Sequence, residues 1–81
     1  VKVRVQLFAG AREAAGVEFV DVAFPAGSAS EHCLAAIAVQ HPSLAALAKS
    51  SRLAIDDRYL ALDEPVPQGR PLALIPPVSG G

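Results

Sequence analysis

One stretch of this 81-residue chain carries a long helical period, and the rest of the fold has to be built around it. Between Ser28 and Pro42, the residues Cys33, Leu34, Ile37, Ala38 and His41 recur at spacings of three and four, which marks a helix with one apolar stripe. "SASE" at 28–31 fits a capping box, with Ser28 as N-cap and Glu31 reaching back from the third helical position, and Pro42 closes the element. A single striped helix cannot bury its own apolar side. It needs a sheet to lie on.

The flanking segments supply strands. In "VKVRVQLFA" Val1, Val3, Val5 and Leu7 alternate with Lys2, Arg4 and Gln6, the period of a half-buried strand. "VEFVDVAF" sets Val20, Val22 and Phe24 on one face and predicts a second strand, antiparallel to the first, with the glycine-bounded "GAREAAG" between them as a single helical turn. After the helix, "SLAALAKSS" adds a short turn through Leu44 and Leu47. "RLAI", a tight turn at Asp56-Asp57 and "RYLAL" then read as a small hairpin, and "DEPVPQG" as loop. "PLALI" is the last strand, with Pro71 at its start, where a missing N–H is most easily accommodated. The expected fold is α+β: a mixed sheet with one main helix packed on one face, spanning residues 1–75 as one domain. The other face stays open. In Leu72-Ala73-Leu74-Ile75 both alternating faces are apolar, so that open face is expected to meet another protein.

Size and charge remove several classes of function. A domain of this length buries only about 60% of the surface of its unfolded chain, which leaves little material for an elaborate cleft. The formal charge is −1 and the basic residues are scattered singly, which argues against nucleic acid and against anionic membranes as partners. The one cysteine, Cys33, cannot pair internally, and no charged segment followed by an apolar run opens the chain; the cytoplasm is the expected compartment. His32 and Cys33 are adjacent, yet successive helical residues point about 100° apart, so Cys33 reads as a packed helix residue and not as a nucleophile with its base. His41 reads as a helix C-terminal residue favoured by the dipole. No histidine or cysteine stands at metal-ligand spacing, Asp56-Asp57 and Asp63-Glu64 fall in turns, and no glycine-rich phosphate loop occurs. No bound cofactor is expected.

What remains is the ending, "LALIPPVSGG". Pro76 and Pro77 fix their own φ, remove two donors and hold the chain extended, so pairing stops at Ile75 and residues 76–81 project as a tail of about 20 Å. Ser79 is small, and Gly80 and Gly81 have no side chains, so the tail fits a channel too narrow for other residues. The group delivered there is the α-carboxylate of Gly81. It is a poor electrophile as it stands. Made into an acyl-adenylate by another enzyme, it would accept sulfur or an amine, and the carrier would need no catalytic side chain of its own.

"FAGAREAAG" at 8–16 resembles the F-A-x-x-R-E-x-x-G pattern of the small-subunit family of molybdopterin synthase, and "LALIPPVSGG" is similar to that family's ending. The resemblance runs over nearly the whole chain. It implies a ubiquitin-like β-grasp fold and a non-catalytic sulfur carrier. An adenylating and sulfurating enzyme would use ATP to activate Gly81 and convert it to a thiocarboxylate. The large synthase subunit, in a heterotetramer with the carrier, would hold the active site and place the sulfur on a cyclic pterin precursor. Gly81 is then the sulfur-bearing residue, and Phe8, Ile75, Pro76, Pro77, Val78, Ser79 and Gly80 are expected at the partner. Two positions depart from the pattern. Asp56 stands where the family usually has Asn, and "PQGRP" at 67–71 replaces an acidic D-G-D-E stretch, reversing charge at Arg70. Competing readings are a ubiquitin-like modifier conjugated through Gly81, a carrier for thiazole or cysteine synthesis, and an interaction domain with an inert tail.

Overall fold

The structure, a computed structural model, describes residues 1–76; the expectations for Pro77, Val78, Ser79, Gly80 and Gly81 lie outside the described residues. In chain order the elements are β1 (Lys2–Leu7), α1 (Ala9–Ala15), β2 (Phe19–Ala23), α2 (Ser30–Gln40), a 3-10 turn (Pro42–Leu44), α3 (Ala45–Ala48), β3 (Arg52–Ile55), β4 (Arg58–Tyr59) and β5 (Leu72–Ile75). The strands form one sheet in the order β2-β1-β5-β3-β4. β1 and β5 pair in parallel at its centre, and every other pair is antiparallel. Parallel neighbours cannot be joined by a hairpin, so α2 belongs to the long crossover between them.

The alternation read from sequence sorts the side chains as expected. Val3, Val5 and Leu7 face inward with Val20, Val22, Leu53, Ile55, Leu72 and Leu74, and meet Cys33, Leu34 and Ile37 of α2. Leu44, Ala48 and Leu60 close the core around them. This is the mixed sheet with one main helix on one face.

The start of α2 differs from the capping box. The helix begins at Ser30 with Ala29 as N-cap and no side-chain cap bond, while the Ser28 hydroxyl donates to the Pro25 carbonyl at 2.6 Å. The Ser30 and Glu31 amides donate instead to the carbonyls of Glu64 (2.8 Å) and Leu62 (2.9 Å). A buried helix start has no water to satisfy its first amides, and Ser30 is fully buried, so the 61–66 loop supplies the cap from a distance. Glu64 anchors that loop. Its carboxylate accepts the Arg58 guanidinium at 3.0 and 2.6 Å and the Ala61 amide at 3.1 Å.

Two elements differ in length from the sequence reading. "AGAREAA" is a seven-residue helix, not a single turn, closed by Gly16 at φ 74° with its amide on the Arg12 carbonyl at 2.9 Å. "RYLAL" pairs as strand only at Arg58–Tyr59, although the Leu60 amide still donates to the Leu53 carbonyl at 2.8 Å before the chain turns into the capping loop. The Asp56-Asp57 turn is present, with both residues left-handed at φ 50° and 64°, the geometry a two-residue hairpin loop requires. Arg70 pairs with the Asp56 carboxylate. The two departures from the family pattern thus meet each other.

The Arg58 guanidinium hydrogen-bonded to Glu64 holds that carboxyl below the ordinary glutamate range. A depressed folded-state pKa contributes stability above the unfolded value, and the contribution disappears as pH falls through the folded one. Glu64→Gln should therefore be less stable than the native protein at neutral pH, with the gap in denaturant midpoint closing on acidification. A gap that stays constant with pH would show that Glu64 acts by shape and not by charge.

Cys33 is fully buried, and desolvation pushes its thiol up to about 12, so it holds no thiolate at neutral pH. Maleimide should leave the native protein unlabelled and react after denaturation. Cys33→Ala should cost about 1 kcal/mol of stability and nothing else; rapid labelling of the folded protein would contradict the packing.

Candidate functional site on the open face of the sheet

The chain leaves the sheet from its middle. Within β5, Leu72 and Leu74 point into the core, while Ala73 and Ile75 are half-buried on the opposite, open face. Pro76 follows without an N–H, so the ladder cannot continue. Leu7 pairs with Leu74, which sets the next residues, Phe8 and Ile75, side by side, and both line the same groove. Phe8 is 38% exposed, an aromatic ring facing outward beside the exit strand. On the other flank, Arg52 pairs across from Ile75.

The strand registers align Phe19, Gln6, Ala73, Ala54 and Tyr59 in one row across the sheet. Two alanines at the centre with Gln6 and Tyr59 beside them leave a groove of about 590 Å³, bounded also by Phe8, Ile75 and the Asp56-Asp57 turn. Tyr59 is 62% exposed and forms its far wall. Beyond Gln6 the character of the face changes. Lys2, Arg4 and Asp21 project there, with Arg4 at 3.7 Å from the Asp21 carboxylate and 5.6 Å from the centre of the Phe19 ring. The open face is thus charged over β2 and β1, while over β5, β3 and β4 Ala73, Ile75, Ala54 and Tyr59 form, with Phe8, an apolar half rimmed by Gln6, Arg52, Arg58 and the Asp56-Asp57 turn.

This geometry brings together three of the residues singled out from sequence, Phe8, Ile75 and Pro76. The sequence reading missed Gln6, Ala54 and Tyr59. The available signal was the small residue in the middle of both "RLAI" and "LALI", which marks a depression only once the two strands are known to be neighbours. Arg12 and Glu13 are exposed on α1, away from the core. Among the described residues no group of three or more His, Cys, Asp or Glu could hold a metal ion, and no helix is long and apolar enough to cross a membrane. Cys33, the one cysteine, is buried and lies away from this groove.

Comparison with known proteins agrees with this architecture. The model of the ThiS family matches residues 5–81. The molybdopterin synthase sulfur carrier subunit of Arabidopsis thaliana is 37% identical over 81 residues, covering 100% of this chain and 84% of that protein. Its counterpart in Chlamydomonas reinhardtii is 34% identical, with 100% of both chains covered. Among solved structures, SAMP1 of Haloferax volcanii superposes with a TM-score of 0.80 at 29% identity over 100% of both chains. A putative molybdopterin converting factor subunit 1 of Pyrococcus furiosus gives 0.77 at 27%, covering 96% of this chain and 99% of that one. A complex of subunits 1 and 2 of the molybdopterin-converting factor of Helicobacter pylori shares the fold at a TM-score of 0.63 and 24% identity, with 100% of both chains covered. The β-grasp sheet and these matches over the whole of this sequence together place the chain in the ThiS family, among relatives named as sulfur carrier subunits of molybdopterin synthase.

Proposed function

We propose that the protein carries sulfur for molybdopterin synthesis on the carboxyl group of Gly81. An ATP-dependent enzyme adenylates that carboxylate with release of pyrophosphate; the terminal sulfur of a donor persulfide displaces AMP to form an acyl disulfide, and a second thiol then cleaves its S–S bond, releasing the thiocarboxylate and leaving a disulfide on the donor. The carrier docks through the apolar half of its open face on the large synthase subunit. Residues 76–81 enter the partner's active site and give the sulfur to a cyclic pterin precursor. The observation that carries this reading is the placement of Phe8 and Tyr59 around Ala73 and Ile75 of β5, while the one cysteine, Cys33, is buried on the opposite side of the sheet. The names of the full-length relatives and the two-subunit complex of a structural neighbour support both the carrier role and a large-subunit partner.

A second reading, conjugation of Gly81 to lysines of other proteins, is favoured by the similarity to SAMP1, a small archaeal modifier protein. The two chemistries share the adenylate and differ in what displaces AMP.

Intact-mass analysis after incubation with ATP, the activating enzyme and a persulfide source separates them. The expected product has one sulfur in place of one oxygen at Gly81, and a chain lacking Gly81 should show none. Exchange at another residue, or none with an active enzyme, overturns the carrier reading; covalent ladders on other proteins would establish the modifier.

A further inference from the structure

The outer edge of β2 is an edge of the sheet, and its backbone groups are occupied in an unusual way. Val1 and Phe24 exchange hydrogen bonds at 2.9 Å in both directions, and the Leu7 amide donates to the Glu18 carbonyl at 2.8 Å. With the β1–β2 register, the antiparallel alternation turns residues 18, 20, 22 and 24 toward β1 and leaves Phe19, Asp21 and Ala23 pointing outward. Such a row is a template for an added strand. Here Gln40, the last residue of α2, and His41 cover its Ala23 end, holding three of the six outward groups. The Gln40 carboxamide accepts the Ala23 amide at 3.0 Å and donates to the Ala23 carbonyl at 2.7 Å, making both bonds that a paired strand residue would make. His41, just beyond the helix, places Nε2 at 2.7 Å from the Asp21 carbonyl, which requires that nitrogen to carry the proton.

We infer that Gln40 and His41 close the β2 edge against strand addition and so keep a second copy of this chain from pairing there. The opposite edge is short: β4 has two residues, and Arg58 is tied to Glu64. The occupant considered at β2 is a second copy of this chain: an antiparallel copy that sets Asp21 against the partner's Ala23 avoids apposing two aspartates and needs the Asp21 amide together with the three backbone groups that Gln40 and His41 now hold. Closure of this edge leaves association to the open face and the tail, where partners of a carrier must bind.

Amide hydrogen exchange on the native protein is the first arm of the test. Ala23, though on an edge, should be protected, and Asp21, whose outward amide has no such cover, should exchange freely. Gln40→Ala should accelerate exchange at Ala23 by about fivefold to tenfold, the loss of one ordinary hydrogen bond. In sedimentation, the native protein should remain monomeric, and the Gln40→Ala/His41→Ala variant should associate with rising concentration. Adding Ala23→Pro removes an outward donor without touching the ladder to β1, and should restore the monomer. Rapid exchange at Ala23 in the native protein overturns the inference. So does a folded double variant that stays monomeric, or association that survives Ala23→Pro.

Discussion

The parallel pairing of β1 with β5 is the constraint on which the rest of the structure depends. It joins the two ends of the described chain, so the last strand lies at the centre of the sheet with β1 on one side and β3 on the other. Leu72 and Leu74 are sealed in the core as a result. Pairing segments so far apart in sequence carries a loop-closure cost that only the completed core repays, so β5 is expected to dock late in folding. The same placement sets Phe8 beside Ile75 and Ala73 beside Ala54. The groove and the exit point are consequences of one register.

The second organising element is the 61–66 loop. It replaces a local helix cap with two backbone carbonyls, and its own position depends on the bidentate contact of Arg58 with Glu64. The hairpin next to it carries the Asp56–Arg70 pair. Both partners of that pair are exposed, which limits its worth to about 1 kcal/mol or less. Its consequence is electrostatic. One end of the groove presents a matched pair where the family pattern has an asparagine and an acidic loop.

Much of this was legible in the sequence. The strict alternation in β1 and β2 and the stripe on α2 each report burial directly, since the period of apolar residues is the period of the element. The ending "PPVSGG" lies, after its first proline, outside the described residues, and the chemistry expected of it stands as a proposal. Other features depend on contacts between distant segments. The capping box at Ser28 and Glu31 was a sound local pattern, yet tertiary carbonyls took its place because Ser30 became buried. The Asp56–Arg70 pair spans 14 positions, and the Gln40 clamp on Ala23 spans 17; no local pattern marks either. Tyr59 and the two groove alanines gained meaning only from strand order.

The central claim is a division of labour: the apolar half of the open face supplies affinity, and the tail supplies chemistry. Calorimetric titration with the large synthase subunit tests it on two variants, one with Ala73→Glu and one lacking Gly80 and Gly81, each shown to fold. A charge buried without a partner at the centre of the groove should weaken binding by about 2–4 kcal/mol, or roughly 30-fold to 1,000-fold in Kd. The truncated chain should bind within about tenfold of the native protein and yield no product. Near-native binding by Ala73→Glu, together with nearly complete loss of affinity on truncation, would make the tail the anchor and contradict the account.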